Sequence, residues 1–137
     1  MPPTKALNPL SPCPCGSQQA LATCCLPYIT RQRQPATAEA LMRSRYSAHV
    51  LAAIDYLWDT WDSAQRSGSS PADILAWATS CEWRGLEILS TQAGTADDSE
   101  GIVTFIAHYQ QQGIPHQHHE ISRFKKLNKQ WFYVSHC

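Results

Sequence analysis

Four cysteines lie close together near the N-terminus, and their thiolates are natural ligands for soft and borderline metal ions. Cys13 and Cys15 flank a single proline, Cys24 and Cys25 are adjacent, and eight residues separate the two pairs. Disulfide bonds in a secreted protein are the alternative, but residues 1–12 contain four prolines and no apolar run typical of a signal peptide. The spacing therefore predicts one tetrahedral metal site in a reducing, cytoplasmic compartment.

The predicted site is structural, because four protein ligands leave no coordination position open for a substrate. Zinc is the predicted ion, since it ranks above ferrous iron in the Irving–Williams order. Iron is the alternative, because it also accepts four thiolates. The other two cysteines, Cys81 and Cys137, have no partner at metal-binding spacing. We expect Cys81 to be a buried thiol and Cys137 to be exposed.

The cysteine motif and several later strings resemble known families. Cys13-Pro14-Cys15-Gly16-Ser17 followed by Cys24-Cys25 resembles the SEC-C motif found at the C-terminus of the SecA translocation ATPase. The later strings resemble those of the YchJ family, small bacterial proteins with an N-terminal SEC-C motif and a domain like nuclear transport factor two. These strings are Leu41-Met42-Arg43-Ser44-Arg45-Tyr46, Tyr56-Leu57, Thr60-Trp61, Glu82-Trp83-Arg84-Gly85-Leu86, Val103-Thr104-Phe105, His119-Glu120-Ile121-Ser122-Arg123-Phe124 and Trp131-Phe132-Tyr133-Val134.

The resemblance implies an α+β fold in two parts. Residues 11–29 would form the SEC-C metal knuckle. Residues 36–136 would form a cone-shaped domain like nuclear transport factor two, in which helices pack on a curved antiparallel sheet. We expect this domain to fold without the knuckle, because its apolar stripe and aromatic strands lie outside residues 11–29.

The residue pattern itself also places helices first and strands afterwards. Apolar residues recur at steps of three or four over residues 42–61, behind the helix cap Thr37. The YchJ pattern would divide this long helix near Leu51–Ala53. Ser70-Pro71 predicts the start of a second, shorter helix. From residue 82 onwards, β-branched and aromatic segments alternate with turns, which predicts an antiparallel meander.

Arg43, Arg45 and Glu120 are the candidate residues for a pocket inside the cone. A carboxylate that faced the interior would need a cationic or hydrogen-bonding partner. Arg43 and Arg45 lie about 200° apart on a helix, so only one of them is expected to face the core. His116, His118 and Glu120 suggest a second metal site as an alternative. Same-face neighbours on a strand are about 6.6 Å apart, however, which favours a polar hairpin end.

Composition and charge exclude several classes of function. The hydrophobic content of 43% can build a core, and no apolar run approaches the length of a membrane span. The net charge of zero argues against dedicated nucleic-acid binding. Residues 1–45 nevertheless contain five basic residues against the single acid Glu39. Arg31 and Arg33 beside the knuckle are therefore candidates for binding a partner.

The favoured interpretation is a non-enzymatic adaptor that docks on a protein partner. The resemblance to SecA implies a partner in translation or protein export, namely the ribosome, an export chaperone or the translocase. The alternative is a ligand-binding or enzymatic domain that uses the sheet cavity, with the metal as a structural staple. No triad, Cys/His pair or phosphate-binding loop appears in the sequence, and the fold by itself is no argument for catalysis.

Overall fold

The helices of the protein precede all of its strands along the chain, as the sequence pattern predicts. The computed structural model describes residues 8–136. A 3₁₀ turn at Leu21–Thr23 leads into α1 (Leu26–Ile29), α2 (Ala38–Leu51), α3 (Ile54–Asp59) and α4 (Pro71–Ser80). Four strands follow: β1 (Glu82–Ala93), β2 (Glu100–Gln111), β3 (Ile114–Leu127) and β4 (Gln130–His136). The prediction for Cys137 lies outside the described residues.

The local sequence explains where α2 begins and ends. The hydroxyl oxygen of Thr37 accepts a hydrogen bond from the backbone N–H of Ala40 at 3.0 Å, which caps the N-terminus. The helix ends at Leu51, and the φ of 56° at the C-cap residue Ala52 is left-handed. The chain then turns and α3 begins at Ile54. The predicted division of the long helix near Leu51–Ala53 is thus confirmed.

The four strands form a single antiparallel sheet in the order β1-β2-β3-β4. Two-residue turns connect the last three strands. Both residues of each turn have positive φ, with Gln112 at 52° and Gly113 at 78°, then Asn128 at 51° and Lys129 at 67°. This is the conformation that matches the twist of a hairpin. The register shifts twice between β1 and β2 and once between β3 and β4. Such bulges bend strands and give the sheet its curvature.

The core lies between the helices and the concave face of this sheet. Leu41 of α2, Leu57 of α3 and Val103 of β2 are each fully buried, and Trp131 of β4 is nearly so. The indole N–H of Trp131 also donates to the carbonyl oxygen of Ala36 at 3.1 Å, which fixes the chain just before α2. The expected α+β architecture, with helices on a curved antiparallel sheet, is therefore confirmed.

The start of α2 approaches the β1–β2 hairpin so closely that only small residues fit. The backbone N–H of Ala38 donates to the carbonyl oxygen of Gly94 at 3.0 Å. A Cβ atom added to Gly101 would lie 2.5 Å from the Cα of Gly94, well inside van der Waals contact. These glycines allow the helix and the hairpin to meet. Across residues 8–136, no helix is long and apolar enough to cross a membrane.

Candidate functional site

The four predicted metal ligands converge on one point. The sulfur atoms of Cys13, Cys15, Cys24 and Cys25 all lie within 4.8 Å of one another. Three of these cysteines are buried, and Cys24 is half-buried. Within the described part of the chain, no other group of three or more His, Cys, Asp or Glu side chains is close enough to share an ion.

The spacing of the sulfur atoms fits a tetrahedral metal ion. A Zn–S bond of about 2.3 Å implies sulfur atoms about 3.8 Å apart at the corners of a tetrahedron. Cys15 and Cys24 are 3.6 Å apart, and Cys24 and Cys25 are 3.9 Å apart. The cluster could therefore hold a metal ion with little rearrangement of its side chains.

Proton affinities within the cluster show how tightly the thiols are packed. Hydrogen bonds from the Cys13 and Cys25 side chains lower the pKa of Cys15. The hydrogen bond to Cys13 and the one to Cys15 raise the pKa of Cys25, and burial raises the pKa of Cys24 to about 11. Without an ion, Cys24 and Cys25 therefore keep their protons at neutral pH. A divalent cation reverses this, because a thiol that coordinates a metal loses its proton.

The loop that carries the ligands is shaped by local hydrogen bonds. The backbone N–H of Cys13 donates to the carbonyl oxygen of Gln19 at 2.8 Å, and that of Gly16 donates to the carbonyl oxygen of Cys13 at 3.2 Å. The φ of Gly16 is 81°, a left-handed value that favours glycine. The Ser17 hydroxyl lies 2.9 Å from the sulfur of Cys24. These contacts turn the chain so that both cysteine pairs face inwards.

Arg43 lies at the knuckle, away from the cavity for which it was a candidate. Its Nη1 donates to the carbonyl oxygen of Cys15 at 2.7 Å, and its Nε donates to Glu39 at 2.9 Å. These two acceptors hold the side chain on the knuckle side of α2. A guanidinium group here would also offset the negative charge of an ion held by four thiolates.

The knuckle packs into the same core as the cone. Leu21 and Ile29 are 2% and 6% exposed and join the contiguous core cluster that includes Leu41 and Leu57. The sulfur of Cys13 also lies 3.4 Å from the hydroxyl of Ser47 on α2. We expected the cone to fold without the knuckle because its apolar residues lie outside residues 11–29. The positions of those residues in the sequence do not reveal this shared core.

The two arginines proposed for partner binding are exposed but not free. Nη2 of Arg31 forms an ion pair with Asp59 at 2.9 Å, and its guanidinium lies 5.5 Å from the centre of the Tyr56 ring. Arg33 lies over Tyr28 at 5.6 Å. A groove of about 450 Å³ runs beside the cysteine cluster and includes Arg33, Cys24 and Cys25 in its walls.

A cavity of about 240 Å³ occupies the inside of the cone. Its walls are mostly aromatic and apolar, with a few charged or polar groups among them. Two of the three predicted pocket residues, Arg45 and Glu120, are part of this lining, and Arg43 is not. The lining residues are Met42, Arg45, Tyr46, His49, Trp77, Trp83, Phe105, Ala107, His118, Glu120, Ser122 and Tyr133.

Glu120 is held as an ionised carboxylate by three neighbours. Its Oε2 accepts hydrogen bonds from Ser122 and, at 2.8 Å, from the hydroxyl of Tyr133. Its Oε1 lies 2.8 Å from Nε2 of His118. Burial by itself would raise the pKa of Glu120, but these hydrogen bonds outweigh burial and lower the pKa below its usual value.

Arg45 is the buried cation of the cavity lining. Its Nη1 donates to the carbonyl oxygen of Leu57 at 2.9 Å and to the hydroxyl of Thr60 at 2.7 Å. Its guanidinium also lies over the Tyr133 ring, 4.9 Å from the centre. Burial lowers the pKa of Arg45 to about 10, so the side chain stays charged at neutral pH.

His49 is a cavity residue that the sequence analysis missed. It follows Arg45 by four residues on α2, and residues four apart share a helical face. Its Nδ1 lies 2.8 Å from the carbonyl oxygen of Arg45. Burial, reinforced by the charge of Arg45, lowers the pKa of His49 to about 4 and keeps the ring neutral. The helical spacing from Arg45 was the signal that could have identified it.

Among the described residues, the histidines of β3 do not form a group at metal-ligand spacing. His118 hydrogen-bonds Glu120, and His116 stacks on the Tyr109 ring with the centres 5.3 Å apart. His119 pairs in register with Ile106, whereas His118 pairs with Ala107, so the two histidines point to opposite faces of the sheet. The polar hairpin end, which was the favoured interpretation, stays a prediction.

Comparison with known proteins identifies the family. Residues 37–136 match the family model for the YchJ middle domain, described as NTF2-like. The chain belongs to the YchJ family. This YchJ-family chain is 42% identical over 122 residues to a UPF0225 protein of Geobacter sulfurreducens, with 89% of this chain and 76% of the relative covered. A UPF0225 protein of Chromobacterium violaceum is 43% identical over 124 residues, with 90% of each chain covered.

Two solved structures share the fold of this YchJ-family chain. The solution structure of a SEC-C motif containing protein from Rhodopseudomonas palustris has a TM-score of 0.84 and 34% identity, with 93% of this chain and 98% of that chain covered. The crystal structure of a SEC-C motif containing protein from Psychrobacter arcticus has a TM-score of 0.80 and 28% identity, covering 93% of this chain and 82% of that one. The resemblance to the YchJ family and to SEC-C proteins is thereby confirmed.

Proposed function

We propose that this protein binds a small organic molecule inside its cone and that the cysteine knuckle is a structural zinc staple. The observation that carries the proposal is the cavity of about 240 Å³, into which Arg45 and Glu120 both face. A cone filled by its own aromatic side chains would have favoured the adaptor interpretation instead. Concave sites with mostly apolar walls and a few fixed polar groups are typical of small-molecule binding.

The proton affinities of the cavity favour binding over acid–base catalysis. An efficient general acid or base has a pKa near the working pH. Burial lowers the pKa of His49 to about 4, and hydrogen bonds lower the pKa of Glu120. Each group therefore stays in one protonation state near neutral pH. They suit recognition of a ligand better than transfer of a proton.

Filling the cavity tests the ligand-binding proposal. Ala107 is 5% exposed and lines the cavity, so Ala107→Leu would occupy part of its volume. Small aromatic compounds should bind the original protein, as seen by ligand-observed NMR, and should bind Ala107→Leu at least tenfold more weakly. Ala72→Leu on the exposed side of α4 is the matched control and should bind normally. Equal binding by the filled variant would place the ligand elsewhere.

Zinc is the proposed ion because four thiolates at tetrahedral spacing suit it and leave no open position. The site is also the basis for proposing a cytoplasmic location, since thiols persist as ligands in a reducing compartment. Mass spectrometry of the protein purified under reducing conditions should find one zinc ion per chain. Iron at the same stoichiometry would favour the alternative ion, and a metal-free protein with an ordered knuckle would contradict the proposal.

Docking on a protein partner is a second candidate function. The groove beside the metal site favours it, because Arg33 and the ligands Cys24 and Cys25 share its walls. The proposed partners are the ribosome, an export chaperone or the translocase. Association through exposed arginines should weaken with salt and in a variant with Arg31→Glu and Arg33→Glu. Co-sedimentation at two salt concentrations measures this, and binding unaffected by the charge reversal would refute the docking proposal.

A further inference from the structure

We propose that the ligand of the cone cavity is a neutral, planar, bicyclic aromatic molecule that donates one N–H or O–H hydrogen bond to Nε2 of His49. This inference rests on the proposed ligand-binding function and specifies its chemistry. Four properties of the cavity support it: its volume, its aromatic walls, its balance of charge and its arrangement of donors and acceptors.

The volume sets the size of the molecule. An apolar protein cavity of about 150 Å³ accommodates benzene, which has six heavy atoms. The cone cavity of about 240 Å³ is larger by more than half. In proportion it accommodates roughly nine or ten heavy atoms, which is the size of two fused aromatic rings.

The walls favour a flat aromatic molecule. The Trp83 ring packs edge-on against Tyr46 and Trp77, with centres 5.8 Å and 6.0 Å apart. Trp83 is fixed by its own indole N–H, which donates to the carbonyl oxygen of Ala78 at 3.1 Å. Trp77 on α4 is 40% exposed, which places it at the rim of the cavity. A further planar ring completes such a cluster through stacked or edge-to-face contacts.

The charges that face the cavity cancel. Arg45 is positive and Glu120 is negative, and both are hydrogen-bonded within the protein. An anionic ligand near Arg45 would also meet Glu120, and a cationic ligand near Glu120 would also meet Arg45. Removing a charged ligand from water is expensive without a dedicated partner. A neutral ligand avoids that cost.

The His49 ring offers a hydrogen-bond acceptor to the cavity. The carbonyl oxygen of Arg45 can only accept, so Nδ1 of His49 carries the proton and donates to it. In the neutral ring Nε2 is then an acceptor, and among the described residues it has no hydrogen-bond partner. Two side-chain donors of the lining, those of Tyr133 and Trp83, are committed to Glu120 and to the carbonyl oxygen of Ala78. A ligand that brings its own donor satisfies Nε2.

Indole and benzofuran provide a matched pair of probes, because they share size and shape and differ in the N–H group. Indole should bind the original protein about five- to tenfold more tightly than benzofuran, the usual effect of one hydrogen bond. Isothermal titration measures both affinities. On addition of indole, the Nε2 signal of His49 should also shift in the ¹⁵N spectrum of the imidazole.

A histidine variant identifies the acceptor. His49→Phe should abolish the preference for indole, whereas His108→Phe should keep it. His108 is the matched control, because it pairs with Glu87 at 2.7 Å and is not part of the cavity lining. If His49→Phe does not fold, the comparison of the two probes and the ¹⁵N spectrum on the original protein still test the proposal.

The outcomes distinguish the role of His49 from ligand binding in the cone. Equal binding of indole and benzofuran, or a preference retained in His49→Phe, would overturn the assignment of His49 but leave ligand binding in the cone intact. Binding of neither probe, with no effect of Ala107→Leu on any aromatic compound, would overturn the proposed function itself.

Discussion

Loss of one metal ligand should destabilise the whole cone rather than the N-terminal segment alone. Cys24→Ser is the mildest such change, because Cys24 is the ligand with the most exposed surface. Without its ion the knuckle is too short to stay folded. Its release would expose Leu21 and Ile29, which are 2% and 6% exposed in the structure.

The size of the effect follows from these two side chains. Burial of each contributes about 1.5–3 kcal/mol, and a partly compact unfolded chain reduces the sum to about 2–4 kcal/mol. For a chain of 137 residues, this corresponds to a fall in melting temperature of roughly 7–14 °C.

Differential scanning calorimetry under reducing conditions measures the change, alongside metal content by mass spectrometry. Cys81→Ser is the matched control, since Cys81 is buried outside the knuckle and its sulfur already lies 3.7 Å from the hydroxyl of Ser80. It should keep its metal and shift the transition by a few degrees at most. A metal-free Cys24→Ser protein that melts at the original temperature would refute the reasoning, as would a separate transition for the N-terminal segment.

Three further predictions concern other parts of the protein. Gly101→Ala should lower the free energy of unfolding by about 1–3 kcal/mol in urea titrations, because its Cβ would lie 2.5 Å from the Cα of Gly94. Gly68→Ala is the control, because a Cβ atom added at Gly68 meets nothing within 4 Å, and it should change the free energy of unfolding by less than about 0.5 kcal/mol. Equal effects of the two substitutions would contradict the packing argument. Burial lowers the pKa of His49 to about 4 from its ordinary value, so the folded protein takes up this proton at lower pH than the unfolded chain. The contribution of His49 to the free energy of unfolding should therefore be fully present above about pH 6.5 and fall by about 2–3 kcal/mol towards pH 4. Urea titrations at several pH values would detect this loss, and His49→Gln should reduce it. Arg43→Met should lower metal affinity about 10–100-fold, because it removes the 2.7 Å hydrogen bond to the Cys15 carbonyl. Competition with a chromogenic chelator measures the affinity. Unchanged affinity would show that the hydrogen bond is dispensable.

Local patterns in the sequence were sufficient for the elements and for the cysteine cluster. The four cysteines lie within 13 residues, so the loop that joins them is short enough to bring them together whatever the rest of the chain does. Helix caps and turns are local as well. Thr37 and Ser70 each accept a hydrogen bond from a backbone N–H three residues later, where the sequence predicted helix starts.

The cavity depended on contacts between residues that are distant in the chain. Arg45 and Glu120 were both candidates, but the partners of Glu120 include Tyr133 from another strand, which no spacing rule connects to it. Arg43 and Arg45 are equivalent by sequence pattern, and only the position of the knuckle against α2 assigns one to the metal loop and the other to the cone.

The sequence by itself determined the features that depend on residues close together in the chain, namely the cysteine cluster, the helix boundaries and the antiparallel meander. The tertiary structure decided how the knuckle joins the core and which polar groups face the cavity. The physical reason is that burial and hydrogen bonding at a given side chain depend on every element packed around it. For His49, the Trp83 ring and the open space of the cavity come together only when α2 lies on the curved sheet.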